Sequence, residues 1–176
     1  IADAFAAMAM GAVGVGFSLI HNGRLVRNFA WDQPLDFRVK TVLGGDASLV
    51  LHPVAWQNDG VEIQGYIADP SHTRSGSQRI LLFVNNRMVT DKGVLSALLQ
   101  GFRGRIMKGR FPMAVLFITL PFDGVDVNVH PAKLQVRFVN EKGVYDAVRQ
   151  AVGRALSMAE RQQPSLAESS RLKENT

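Results

Sequence analysis

Residues 79–102 read RILLFVNNRMVTDKGVLSALLQGF, and the organisation of this run decides the fold. Arg79 to Val84 is apolar after its first residue and of strand length, and Arg87 to Val89 is a second, shorter run. Asn85 and Asn86 stand between them, and asparagine tolerates the positive φ of a tight turn, so the spacing predicts a hairpin. Asp91 then offers an oxygen to the free amides of a helix start. Val94, Leu95, Leu98, Leu99 and Phe102 recur behind it at helical spacing. Strand, turn, strand, cap and helix in immediate succession indicate a sheet with helices laid on it.

Working outward, Met113 to Leu120 is a continuous apolar strand ended by Pro121, and Glu141 to Met158 is a helix with Val144, Val148, Ala151, Val152, Ala155 and Leu156 on one face. Upstream, Leu49 to Trp56 and Val61 to Ala68 form a hairpin about Asn58-Asp59-Gly60, and Leu35 to Leu43 is a short helix ended by Gly44-Gly45. Asp69 to Ser77, rich in Pro, Ser, Thr and Gly, reads as a mobile loop. Ile1 to Ile20 carries one charge, Asp3, but Gly11, Gly14 and Gly16 interrupt it, so it is read as a helix followed by a strand and not as a membrane span. Ile1, Phe5, Met8 and Ala9 are expected to share one face of that helix. Val15 to Ile20 then turns at His21-Asn22-Gly23 into Leu25 to Phe29. The order of elements gives an α+β class of α/β protein, a mixed β-sheet with helices packed against it; a doubly wound nucleotide fold would alternate strand and helix throughout. The domain is expected to span 1–158, with 159–176 a polar, disordered tail or linker.

The chain has 176 residues, 47% hydrophobic and 20% charged, enough apolar material for one core. It has no cysteine, which excludes disulfides, thiolate metal sites and cysteine nucleophiles. The net charge of +5 is concentrated: Arg74, Arg79, Arg87, Lys92, Arg103, Arg105, Lys108 and Arg110 face a single acid, Asp91, between Ser71 and Pro112. An anion-binding face is therefore expected in the middle of the chain. Phe102 and Phe111 are the aromatics near these charges, so phosphate contacts are expected rather than base stacking.

Ordinary catalytic patterns are absent. His21, His52, His72 and His130 show no metal-ligand spacing, and no Gly-x-Ser-x-Gly or Gly-Lys-Ser/Thr occurs. Gly11 to Gly16 resembles a phosphate loop but follows a helix and precedes a strand, the reverse of the required order. No catalytic set is complete in this chain, and no metal site is expected.

Residues 123–138 read DGVDVNVHPAKLQVRF. Val125, Val127 and Val129 alternate with Asp126, Asn128 and His130, so a strand would bury the valines and present the polar residues on its other face. Pro131 fixes the backbone, and Leu134, Val136 and Phe138 resume the inward pattern. By spacing alone, Lys133 is a loop lysine, and Asp126 and Asn128 are polar residues on a solvent face.

This segment resembles the signature of the MutL family of DNA mismatch repair proteins. Ile20-His21-Asn22-Gly23-Arg24, Ala68-Asp69-Pro70 and Phe83-Val84-Asn85-Asn86-Arg87 resemble further family landmarks in the same order. The resemblance runs from about residue 1 to about residue 158. It implies the transducer domain of the N-terminal ATPase half, a two-layer sandwich like the second domain of a small-subunit ribosomal protein and of type II topoisomerase ATPase fragments. It further implies that an ATP-binding module of the GHKL type precedes Ile1, and that Lys133 contacts the terminal phosphate of ATP held there. Asp126, Asn128, His130 and Pro131 would orient the Lys133 loop. Arg87, Lys92, Arg103, Arg105, Lys108 and Arg110 would bind DNA without sequence preference. Also implied are no cofactor in this chain but ATP and Mg in the full-length protein, contacts with other mismatch repair proteins, a monomer here but a full-length homodimer, no membrane, and a bacterial-type cytoplasmic, nucleoid-associated location. Asn86 stands where the family usually has glycine, and Gln135 where it often has glutamate, which removes one carboxylate from the reach of Arg137. A standalone nucleic-acid-binding module of ribosomal-protein type would use the same basic residues without an ATPase.

Overall fold

Three two-residue turns set the registers of the chain. Asn22 and Gly23, Asp59 and Gly60, and Asn85 and Asn86 all have positive φ, between 46° and 77°. Paired left-handed residues twist a connection in the sense that neighbouring antiparallel strands require, so each pair closes a hairpin. The structure, a computed structural model, describes residues 2–44, 48–126 and 135–162. Its elements are α1 (Ala2–Gly11), β1 (Phe17–His21), β2 (Arg24–Phe29), α2 (Leu35–Leu43), β3 (Leu51–Asn58), β4 (Val61–Ala68), β5 (Thr73–Arg74), β6 (Ile80–Val84), β7 (Arg87–Val89), α3 (Lys92–Gly101), β8 (Phe111–Pro112), β9 (Ala114–Thr119), β10 (Val125–Asp126), β11 (Arg137–Phe138) and α4 (Glu141–Gln162).

The main sheet has the order β3-β4-β9-β6-β7. Its pairings are antiparallel except β6 with β9, which is parallel. Those two strands are covered on both faces, which explains why their sequences are apolar without alternation. Leu82, Val84, Ala114, Leu116 and Ile118 pack with Val54, Ile63 and Ile67 under α3 and α4. Leu81, Phe83, Met113 and Val115 pack on the other face with α1 and α2. The mixed sheet with packed helices is the expected architecture, and the helices on this second face add a layer to the two expected. At Gly65 β4 leaves no room for a side chain against β9: its φ is +143°, and a methyl group there would overlap the carbonyl of Val115. Turn Asn85-Asn86 is tied to the end of β9, since the Asn85 amide donates to Leu120 O at 3.0 Å and its oxygen accepts from Leu120 N at 3.1 Å.

Helix α4 buries Val144, Ala147, Val148, Ala151, Val152, Ala155 and Leu156, a stripe that follows the 3.6-residue period. It meets α3 at Gly101, where an added Cβ would stand 2.7 Å from Val152 Cβ. The helix runs to Gln162, four residues past the expected end of the domain at 158.

Two local expectations are corrected, and one buried cation is added. Met8 is 61% exposed, and Ala6, Ala9 and Met10 carry the inner face of α1. Asp69 to Ser77 is not simply a loop, because Thr73–Arg74 pair with Phe111–Pro112 as β5 and β8. Arg38, unremarkable in the sequence, is completely buried. Its guanidinium donates to the carbonyls of Ala9, Ala12, Val15 and Ala30 at 2.5–3.3 Å and lies 5.6 Å from the Phe29 ring centre. These include carbonyls left open where α1 ends, so one cation ties the end of α1 to the segment leading into β1 and to Ala30 just past β2. Among the described residues no helix is long and apolar enough to cross a membrane.

Candidate nucleic-acid interface

The expected DNA-binding residues fall at the two ends of α3. A ten-residue helix is on the order of 15 Å long, so the two groups are separate. At the N-terminal end, Asp91 caps the helix, its carboxylate accepting from Val94 N at 2.8 Å. Lys92 is the first helical residue and is exposed, and Arg87 is exposed on the edge strand β7. A cation at a helix N-terminus opposes the helix dipole, so Lys92 does not stand there for stability. Lys92 lines an open groove of about 1040 Å³ with Met88, Asp91, Arg137, Glu141 and Tyr145. Burial, with the nearby Asp91 and Glu141 carboxylates, pushes the Tyr145 phenol up. The groove is thus of mixed charge.

The C-terminal end of α3 is more uniformly basic. Arg103 and Lys108 are exposed. Arg105 is committed elsewhere: its Nε lies 2.5 Å from Glu160 Oε1 and its Nη2 3.2 Å from Ser157 Oγ, pinning the segment to α4. The hydrogen bonds between them push the Arg105 guanidinium up and the Glu160 carboxyl down. Arg110 donates to Thr73 Oγ1 at 3.0 Å and Thr73 O at 2.9 Å, bracing the β5–β8 ribbon. Six residues grouped by composition therefore divide into an edge pair, Arg87 and Lys92, an anchored Arg105, and a ribbon-end group of Arg103, Lys108 and Arg110.

Behind the ribbon, Asp69 organises the loop that leads to it. Its carboxylate accepts from Ser71 Oγ at 2.6 Å, Ser71 N at 3.0 Å and His52 Nε2 at 3.0 Å. Burial works to raise its pKa, but the Ser71 and His52 hydrogen bonds outweigh it and hold the carboxyl at about 2. Neither Asp69 nor Arg38 was assigned a role from the sequence; Ala68-Asp69-Pro70 was visible as a motif, whereas nothing local marked Arg38.

Lys133, Asn128, His130 and Pro131 lie outside the described residues. What is described is the base of their segment: Val125 pairs with Phe138, and Asp126 with Arg137, in the antiparallel ladder of β10 and β11. Val125 is half-buried, Val136 and Phe138 are buried, and Asp126 is exposed, as the alternation predicts. Asp126 and Arg137 form a register pair of opposite charge, so the acid facing Arg137 across the ladder is Asp126 whatever residue occupies 135. Among the described residues no group of three His, Asp or Glu is placed to hold a metal ion.

A mixed sheet in this order is a fold shared with solved structures of other proteins. A structure described as the N-terminal domain of a DNA repair protein aligns with 92% of this chain and 54% of its own, at TM-score 0.69 and 21% identity. The ATPase domain of the mismatch repair endonuclease MutL from Aquifex aeolicus aligns at TM-score 0.55 and 17% identity, covering 86% of this chain and 49% of that one. At such identities the likeness shows the fold alone. Sequence goes further: the family described as DNA mismatch repair protein, C-terminal domain, matches residues 39–157. The DNA mismatch repair protein MutL of Anaeromyxobacter dehalogenans strain 2CP-C is 39% identical over 159 residues, 90% of this chain and 26% of that protein. MutL of Geotalea uraniireducens strain Rf4 is 38% identical over 152 residues, 86% of this chain and 25% of that protein. The chain belongs to the MutL family of DNA mismatch repair proteins. It spans about a quarter of the length of these curated relatives.

Proposed function

We propose that this chain is the transducer domain of a MutL-type ATPase, coupling ATP bound by an adjacent domain to domain movement and to non-specific DNA binding. The observation that carries the proposal is the β10–β11 pairing at the two ends of the segment holding His130-Pro131-Ala132-Lys133. A motif lysine on a segment rooted at both ends in one domain suits a contact made in trans to another. Lys133 is assigned to the γ-phosphate, as a compact charge on a flexible stem that loses this partner after hydrolysis. Asp126, Asn128, His130 and Pro131 are assigned to orienting that segment. ATP supplies the phosphoryl group whose charge Lys133 meets, and Mg accompanies ATP in the adjacent domain; this chain alone is assigned no ATPase activity. DNA is met by the exposed cations at both ends of α3. Other mismatch repair proteins, a homodimeric full-length state and a cytoplasmic, nucleoid-associated location complete the proposal.

The test is DNA binding by this chain alone and by the full-length protein, with and without a non-hydrolysable ATP analogue. Weak binding alone that strengthens in the full-length protein with nucleotide supports the transducer. Full affinity alone, with no gain from nucleotide, is the behaviour of a standalone nucleic-acid-binding module and refutes it.

A further inference from the structure

Arg74 lies in the stretch expected to be loop and was not among the assigned DNA-binding residues. In the structure it is on β5, exposed, with Nη1 3.2 Å from Thr73 O. Arg110, arriving from the other side of the ribbon, places Nη2 2.9 Å from the same oxygen. The two nitrogens are therefore no more than about 6 Å apart. Two guanidinium charges at that separation repel, and among the described residues neither forms an ion pair with a carboxylate. The arrangement is nonetheless built. Arg110 uses Nε and Nη2 on Thr73, Arg105 pins the preceding segment to Glu160, and Asp69 holds the turn at Ser71. Each guanidinium carries five donors, and Nη1 of Arg110 and Nε and Nη2 of Arg74 remain without a protein acceptor among the described residues. Lys108, two residues before Arg110, is also exposed.

Like charges fixed side by side, with donors to spare and no ion-paired carboxylate among the described residues, call for an anion of high charge density. We propose that Arg74 and Arg110, converging on Thr73, form a phosphate-binding site for the backbone of a nucleic acid, separate from the Lys92 end of α3. The inference rests on the DNA-binding part of the function proposed above and adds the residue and the place of contact. Guanidinium forks match phosphate oxygens better than a lysine does, and a contact of this kind positions the duplex without reading its sequence.

The test measures binding of a labelled random-sequence duplex to the full-length protein from roughly 50 to 200 mM salt, for wild type, Arg74→Gln, Arg74→Lys and Lys92→Gln. Each phosphate contact removed lowers the slope of log affinity against log salt by about one. Arg74→Gln is expected to lower it so, Arg74→Lys to restore most of it, and thermal melts of all variants to coincide. Arg74 decides the matter because its hydrogen bond reaches only the neighbouring residue's carbonyl, so its removal leaves the ribbon's braces intact. A slope changed by Lys92→Gln but not by Arg74→Gln overturns the site and leaves DNA binding standing. No DNA binding by wild type overturns both. If inorganic phosphate at matched ionic strength raises the melting temperature of wild type but not of Arg74→Gln, while the DNA slopes of the two are equal, the site takes a free anion and the nucleic-acid assignment is wrong.

Discussion

Replacing Asp69 with asparagine isolates a charge that the structure holds in an unusual state. The carboxyl sits at about 2 against an ordinary 3.8, because Ser71 and His52 donate to it strongly enough to overcome burial. A group depressed in the folded state contributes stability that is complete above its unfolded pKa and is lost as pH falls through its folded pKa. At 1.36 kcal/mol per unit the contribution at neutral pH is about 2 kcal/mol. About half of it should have gone by roughly pH 3, midway between the two pKa values. Asp69→Asn keeps the shape and the acceptor oxygen but removes the charge, so it should lower the melting temperature at pH 7 by roughly 4 to 8 °C for a domain of this size. The assay is a set of melts of wild type and variant between pH 7 and the acid limit of folding. The gap should be constant from neutral pH down to about 5 and should close below about 4. A gap of the same size at every pH would refute the electrostatic account, and no gap at pH 7 would show that the charge on Asp69 contributes nothing net.

Other substitutions test separate parts of the account. Gly65→Ala should destabilise by more than about 2 kcal/mol in a denaturant titration, because both the positive φ and the Val115 carbonyl oppose a side chain there. Leu156→Ala, at a buried position on α4, should cost about 2 to 5 kcal/mol in the same assay. Lys92→Glu should weaken DNA binding and flatten its salt dependence while changing stability by no more than about 0.5 kcal/mol, which paired binding and melting curves will check.

Local chemistry carried much of the fold in the sequence. The Asn85-Asn86 turn, the Asp91 cap, the Leu35–Leu43 helix with its left-handed Gly44 and the apolar stripe of α4 were each legible because a few neighbouring residues determine them. What escaped the sequence depends on distant partners. Thr73 becomes a strand only because Pro112 arrives opposite it, and Arg38 is buried only because carbonyls of α1, of the segment after it and of Ala30 just past β2 converge on it. The basic segment was visible as composition, but its division was not: Arg105 leaves the set through Glu160, fifty-five residues away in the chain. Arg74 gains a role for the same reason, through Arg110 meeting it on Thr73. Met8 shows the opposite error, since an apolar residue at nearly the right spacing was assigned to a face that alanines and Met10 fill.

The central claim is that this domain reports on ATP through Lys133, and steady-state ATP hydrolysis by the full-length protein carrying Lys133→Ala tests it most directly. Melts of the same variant serve as the control for folding. The account predicts an unchanged melting temperature with ATP turnover lost, and only partial recovery in Lys133→Arg, because a broad planar guanidinium does not replace a compact ammonium. Turnover at the wild-type rate in Lys133→Ala, with folding intact, would contradict it.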